Sequence, residues 1–543
     1  MKRRDFITKT TLAAAATTLA ACTTTVSHKR KEKAGKDENF KDDFQLNEIT
    51  VAALQEKMKS GEYSSEKIVQ LYLDRINNID KTGPAVNSVI EVNPDALTIA
   101  RQMDAERKSG KVRSLLHGIP VLIKDNIDTA DKMKTSAGSL ALANSIALQD
   151  SFVAKKLREA GAVIIGKTNL SEWANIRSSR STSGWSGRGG LTKNPYVLDR
   201  NACGSSSGTG TAIAANLATI GIGTETDGSV VCPSSHNSLV GIKPTLGLVS
   251  RSGIIPIAHS QDTAGPMCRC VADAAALLSV LTGIDDRDKA TAASNGKTET
   301  DYTKFLDVNG VRGMRIGVAR KYFGFNNGVD KLMNDAINTI KQRGAVIVDS
   351  ADIPHTGEYD ATELDVLLYE LKADLNTYLT RLGPNAPVKT LKDIIDFNEK
   401  NKDRELKYFG QDLFIKAEEK GPLTTKEYVD ALKKNHRLSQ AEGIDSIMNK
   451  EKLDAIIAPT GGPAWPTDLI NGDHFTGGYS TPSAVAGYPH ITVPAGYVYG
   501  LPVGISIFGR AWSEGLLIKI AYAYEQATKH RRPPQFLATA NLT

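Results

Sequence analysis

Residues 203–232 read CGSSSGTGTAIAANLATIGIGTETDGSVVC. The segment opens in a Gly/Ser loop. It then runs from Thr209 to Leu217 through small apolar residues that suit a buried helix, and Ala218 to Gly223 has strand character. It closes in Thr224-Glu225-Thr226-Asp227-Gly228-Ser229, a polar turn. Gly204-Ser205-Ser206-Ser207-Gly208 matches the nucleophile-elbow spelling with Ser206 at its centre. That motif needs a hydrophobic strand running into the turn. The ten residues before it, Asn194 to Cys203, contain Pro195 and form no such strand, which excludes an α/β-hydrolase reading.

Working outward, Gly118 to Lys124 and Ala162 to Gly166 are short apolar runs with β character, and Phe152 to Ala160 between them is helical in pattern. Two helical segments are expected from Leu46 to Ile79, and Asn93-Pro94-Asp95 caps another through Lys108. Helices are expected over Asn326 to Gly344, Leu364 to Leu382 and Trp512 to Thr528; strands over Leu453 to Pro459, Ile491 to Pro494 and Val503 to Phe508. This alternation indicates an α/β sheet. The region from about Asp286 to Asn449 is more polar and helical and reads as an insertion or cap. Asn175 to Gly210 is a long loop of Ser, Gly, Arg and Asn, of the kind that carries function.

Other signals exclude function classes. Gly161 to Thr168 spells a phosphate loop, but its interior Ala-Val-Ile-Ile is itself a strand and cannot wrap phosphate. His117, His236, His259 and His490 lie near Gly/Pro turns with no recognisable partner and read as structural or surface residues. The five cysteines, Cys22, Cys203, Cys232, Cys268 and Cys270, form no CxxC pair and no Cys/His set with zinc spacing, so no metal site is expected. The net charge is +6 over 543 residues, and Met1 to Asp43 holds ten Lys/Arg against six Asp/Glu. The rest is near neutral, which speaks against a nucleic-acid partner.

Met1 to Cys22 reads as an export signal. Lys2, Arg3 and Arg4 precede an apolar run too short to span a bilayer. Arg3-Arg4-Asp5-Phe6 resembles a twin-arginine signal, and Leu19-Ala20-Ala21-Cys22 resembles a lipobox in which Cys22 becomes lipidated. Residues 23–45 read as a flexible tether, and residues 46–540 as the folded domain. The expected location is the periplasm or cell envelope, with membrane contact only through the lipid.

The remaining constellation is Lys124 at the end of an apolar strand, Ser205 in the Gly/Ser loop and Ser229 in the polar turn. Taken singly, each suits a strand end or a turn. The surrounding words decide between readings. CGSSSGTGTAIAANLATIGIGTETDGSVVC at 203–232 and GIPVLIKDN at 118–126 resemble the amidase signature family. So do GKTNLSEWA at 166–174, GIKPTLGLVSRSGIIP at 241–256, SQDTAGPM at 260–267, APTGGPAWP at 458–466, AGYPHITVPAG at 486–496 and GLPVGISIFG at 500–509. Within the family, SEWAN, TETDGS and SQDTAGPM are most similar to bacterial peptide amidases. Glu225 stands where many members have Asp, and Asp227 where Gly is common.

The resemblance implies a single large α/β domain, with a central mixed β-sheet flanked by helices and a helical insertion near 286–450. It implies that Ser229 attacks the amide carbonyl, Ser205 relays its proton, and Lys124 is the base. It implies a cis Gly204–Ser205 bond, an oxyanion hole of the Thr226, Asp227, Gly228 and Ser229 backbone N–H groups, and no cofactor. Lys124 must then be neutral. That requires a pKa about 3 units below the ordinary lysine value, in the direction that burial pushes. The expected reaction is removal of the C-terminal amide from peptide amides, with ammonia released. The alternatives are a broader small-amide amidase, a transamidase-type subunit or a non-catalytic binding protein.

Overall fold

The computed structural model describes residues 42–384 and 386–542. The export signal, Cys22 and the tether up to residue 41 lie outside the described residues. The tether reading runs four residues too far. Asp42 pairs with Arg75 at 2.6 Å, and Phe44 packs edge-on against Tyr72 while the Arg75 guanidinium lies over its ring. Phe44 is a single apolar residue in a charged stretch, too weak a signal to mark the start of packing.

An eleven-stranded mixed sheet organises the chain. In chain order its strands are β1 (Val89–Val92), β2 (Pro120–Lys124), β3 (Val163–Thr168), β4 (Ile220–Glu225), β5 (Val240–Lys243), β6 (Thr263–Cys268), β7 (Arg315–Val318), β8 (Val346–Val348), β9 (Ala455–Pro459), β10 (His490–Val498) and β11 (Leu501–Phe508). Their spatial order is β1-β3-β2-β4-β6-β5-β10-β11-β9-β7-β8. Three parallel strands, β3-β2-β4, form one block, and β9-β7-β8 form another. Antiparallel strands join the two blocks.

The central strands β2, β3, β4 and β6 are buried at every position. Helices on both faces explain why β2 and β3 read as continuous apolar runs rather than alternating ones. Val271–Leu281 and Glu514–Thr528 pack against each other beside the sheet. Ser207–Ala214 and Val231–His236 flank the strand that carries the polar turn.

Residues 286–450 are not one helical insertion. β7 and β8 belong to the sheet, and the Asn327–Gln342 helix packs on β9 and β10. Only from Asp360–Arg381 to Asp445–Lys450 is the region all-helical, and part of it builds a second apolar core with Trp173, Ile255, Ile257, Leu371 and Phe414. β7 and β8 have four and three residues, too short for a period-2 signal to stand out. The Gly161–Thr168 decoy is the strand β3. Its Lys167 is buried, donating to the Ile127 carbonyl at 2.7 Å and Thr135 Oγ1 at 3.0 Å. Among the described residues no helix is long and apolar enough to cross a membrane.

The Ser207–Ala214 helix approaches its neighbours very closely. A Cβ on Gly208 would lie 2.3 Å from the Asn169 carbonyl oxygen and 2.4 Å from that of Ser88. In an open helix, Gly→Ala gains about 1 kcal/mol. Here the overlap with two backbone carbonyls reverses the sign, at a cost of about 1–3 kcal/mol. Gly208→Ala is therefore expected to lower the unfolding midpoint, as read by thermal or urea melts. A raised midpoint would show that the helix has room to move.

Candidate active site

β2 delivers Lys124 to the C-terminal edge of the parallel block, and β4 delivers the turn that follows it. Lys124 is fully buried. Its Nζ donates to Ser205 Oγ at 2.7 Å and Thr224 Oγ1 at 2.9 Å, with the Thr224 carbonyl at 3.3 Å. Asn126 Nδ2 also donates to Thr224 Oγ1, at 3.0 Å, which fixes that hydroxyl. Burial lowers the Lys124 pKa from 10.5 to about 7, against the smaller opposing pull of the Asp262 and Glu225 carboxylates. That fall corresponds to roughly 5 kcal/mol in favour of the neutral amine.

Ser205 is buried in the Gly/Ser loop, and the Gly204–Ser205 peptide bond is cis. The loop is held on both sides. Ser171 N donates to the Ser205 carbonyl at 3.0 Å, and Ser206 N donates to the Ser229 carbonyl at 3.3 Å. Ser206 Oγ donates to the Thr224 carbonyl at 3.0 Å and accepts from Thr224 N at 3.2 Å. Ser206, the centre of the elbow decoy, is thus a brace between loop and strand. No hydrogen bond joins Ser205 Oγ to Ser229 Oγ among the described residues. Lys124 and Ser205 are joined directly.

Ser229 follows Gly228, whose φ of +79° turns the chain into the left-handed region. None of the backbone N–H groups of Thr226, Asp227, Gly228 and Ser229 is bonded to an acceptor among the described residues. Free backbone donors clustered in one turn can receive a developing negative charge. The turn itself is anchored by side chains. Glu225 Oε2 accepts from Val230 N and Val231 N at 2.8 and 3.0 Å, at the start of the Val231–His236 helix. Thr226 Oγ1 donates to Asp262 Oδ1 at 2.6 Å, and Asp262 Oδ2 accepts from Ile257 N and Ala258 N. Gln261 Nε2 donates to Glu363 Oε1 at 2.9 Å and to the Thr226 carbonyl at 3.3 Å, which ties the turn to the Asp360–Arg381 helix.

Cys203 and Cys232 form a disulfide that joins the Gly/Ser loop to the helix after Ser229. The cysteines did not reveal this pairing in sequence, because their separation of 29 residues spans a helix and a strand. Cys268 and Cys270 are free thiols. Both cysteines of the bridge, with Gly204, Thr226, Asp227, Gly228 and Ser229, line a cavity of about 390 Å³. Its far wall is Ile176, Ile257, Leu367, Trp465 and Phe475. Trp465 and Phe475 meet edge-on at 5.7 Å. These wall residues come from distant parts of the chain, and nothing local in sequence singles them out.

The histidines are structural or peripheral. His236 is buried with Nε2 3.1 Å from the Gly462 carbonyl, and burial lowers its pKa to about 4. His490 sits between Ser483 and Ser506, and His117 on the Met103 carbonyl. His259 is partly exposed and pairs with Asp374 at 2.8 Å.

The amidase family profile matches residues 67–518. The chain belongs to the amidase family. It is 43% identical over 504 residues to the probable amidase At4g34880 of Arabidopsis thaliana, covering 91% of this chain and 93% of that one. It superposes on the native peptide amidase of Stenotrophomonas maltophilia with a TM-score of 0.87 at 49% identity, over 91% of this chain and 99% of that one. It also superposes on an amidase family protein from Bacillus anthracis with a TM-score of 0.82 at 39% identity, over 90% of this chain and 92% of that one. This amidase is accordingly a hydrolase acting on carboxamide C–N bonds, with the large mixed-sheet α/β architecture of its relatives.

A lysine kept neutral by burial costs stability. Between the folded-state value of about 7 and the unfolded value near 10.4, only the unfolded chain carries the proton, so stability rises with pH across that window. Lys124→Met removes this burden while leaving the Ser205 and Thr224 hydroxyls without a partner. The variant is expected to be more stable than the parent by about 1–3 kcal/mol near pH 7, with the gain shrinking towards pH 10. Urea melts at the two pH values read this directly. A destabilised variant with no pH trend would mean that Lys124 is charged in the fold.

Proposed function

We propose that this amidase releases ammonia from the C-terminal carboxamide of peptides, through Ser229 as nucleophile, Ser205 as proton relay and Lys124 as base. The observation that carries the reading is the 2.7 Å contact between Lys124 Nζ, a buried amine with a pKa of about 7, and Ser205 Oγ, in the loop that packs on the Ser229 turn. The likeness to a peptide amidase over nearly its whole length supports the substrate class.

The steps follow from the atoms present. Ser229 Oγ attacks the carboxamide carbon, its proton passes to Ser205 Oγ, and the Ser205 proton passes to Lys124 Nζ. The carbonyl oxygen becomes an oxyanion facing the free N–H groups of residues 226–229. As the C–N bond breaks, the proton returns from Lys124 through Ser205 to the leaving nitrogen, which departs as ammonia. Water then attacks the Ser229 ester, giving its proton through Ser205 to Lys124, and that proton returns to Ser229 Oγ as the ester bond breaks and the acid leaves. Every proton is carried by the chain's own side chains, and the partner implied is the amide substrate alone.

In this reading, kcat/KM rises with pH through about 7 and levels off above it, because only the neutral amine accepts a proton. Ser229→Ala and Lys124→Met fold but lose at least about 10³-fold in kcat. Mass spectrometry on a panel of peptide amides, internal peptide bonds and simple amides is expected to show loss of the terminal ammonia only. Internal cleavage, or activity retained in Ser229→Ala, would refute the reading.

The same proposal places the protein outside the cytoplasm, tethered through Cys22. Arg3-Arg4 and Leu19 to Cys22 support it, as does the Cys203–Cys232 disulfide, since such bonds persist in oxidising compartments. Cys22→Ser is expected to move the protein from the membrane to the soluble envelope fraction. An unchanged cytoplasmic distribution of both forms would exclude export.

A further inference from the structure

The cavity beside Ser229 has an uneven charge pattern. Asp227 and Asp473 contribute carboxylates to its lining, and no Lys, Arg or His does so among the described residues. Of the cations behind the lining, Lys243 acts on Asp227 and His474 on Asp473. Arg177 is buried in an ion pair with Glu172 at 2.5 Å, and Lys124 lies beneath the relay serine. Asp473 sits on a loop over the cavity, where it accepts from Ser183 N at 3.0 Å, Ser183 Oγ at 2.5 Å and Asn201 Nδ2 at 3.4 Å. Burial raises its carboxyl above the ordinary range, and these hydrogen bonds and the nearby His474 oppose that rise. Asp227 Oδ2 accepts from Thr481 Oγ1 at 2.7 Å, and its Oδ1 has no hydrogen-bond partner. Burial raises the Asp227 carboxyl above the ordinary range, and burial together with Asp227 raises that of Glu363. The apolar part of the lining includes Ile257, Leu367, Trp465 and Phe475.

We propose that this cavity is a charge sieve for the acyl group: Asp473 and Asp227 make it accept apolar or cationic acyl side chains and reject anionic ones. The inference rests on the reading of the Ser229 cavity as the acyl site. An anionic side chain brought into it loses its hydration and meets two acidic groups with no cation on the cavity lining among the described residues, whereas a leucyl side chain meets the aromatic wall and a lysyl ammonium meets the acids. The sieve acts on the reaction as well. Hydrolysis turns a neutral carboxamide into a carboxylate at the same place, so the product is repelled as it forms and inhibits weakly.

The test compares N-acetyl-leucine amide, N-acetyl-lysine amide and the α-amide of N-acetylglutamic acid near pH 8, with ammonia release as the readout. The glutamyl amide is expected to show a kcat/KM at least about tenfold below the other two. Asp473→Asn is expected to narrow that gap about threefold or more, with Asp227→Asn as the second variant should Asp473→Asn fail to fold. Valeramide against glutaramate repeats the comparison without a peptide. If the acetylated amino acid amides are inert but valeramide is cleaved, the peptide amide reading falls, and glutaramate still decides the sieve. Anionic amides hydrolysed within about twofold of their neutral counterparts, or a gap that persists unchanged in both variants, overturns the proposal. So does an enzyme that cleaves none of these amides.

Discussion

The Lys124 amine sits at the end of a buried strand, held by two hydroxyls and a carbonyl, with no carboxylate in ion-pair contact among the described residues. An ammonium there would need a counter-charge, and the nearest acids, Asp262 and Glu225, are committed elsewhere. Asp262 holds Thr226 and the backbone at Ile257 and Ala258, and Glu225 holds the first N–H groups after Ser229. The same carboxylates that could have charged the lysine therefore shape the Ser229 turn. Their distance leaves the lysine dominated by desolvation, so the amine can accept a proton near neutral pH.

The sheet makes this arrangement possible. β2 and β4 are parallel neighbours, with Ile123 opposite Ile222, so Lys124 and Thr224 emerge at the same edge. The Ser207–Ala214 helix is built from residues small enough to pack tightly against β4, β2 and the Asn169 and Ser88 backbone. That closeness brings Ser205 to the strand ends. The disulfide and the Ser206 brace then join the Gly/Ser loop, the strand and the Ser229 turn into one unit.

The sequence carried the parts of this site that are local. Lys124 closes an apolar run, Ser205 and Ser229 sit in Gly-containing turns, and the strand and helix between them have distinct patterns. The central strands were legible because burial on both faces makes them continuously apolar. β7 and β8 were not, since a few residues on a sheet edge carry little periodicity, and so 286–450 read as helical throughout. Contacts between distant segments left no trace either. The Gln261–Glu363 link, the Asp473 loop and the Trp465–Phe475 wall arise only once the sheet and the helical region meet. The cysteine pairing is of the same kind.

The protonation state of Lys124 is the quantity on which the account turns, and it can be observed directly. Protein labelled with carbon-13 at the lysine ε position can be titrated by NMR, with the Lys124→Met variant used to assign the Lys124 signal. The account predicts a midpoint near pH 7 for that one signal. A signal that stays in the ammonium form up to pH 10 would contradict it.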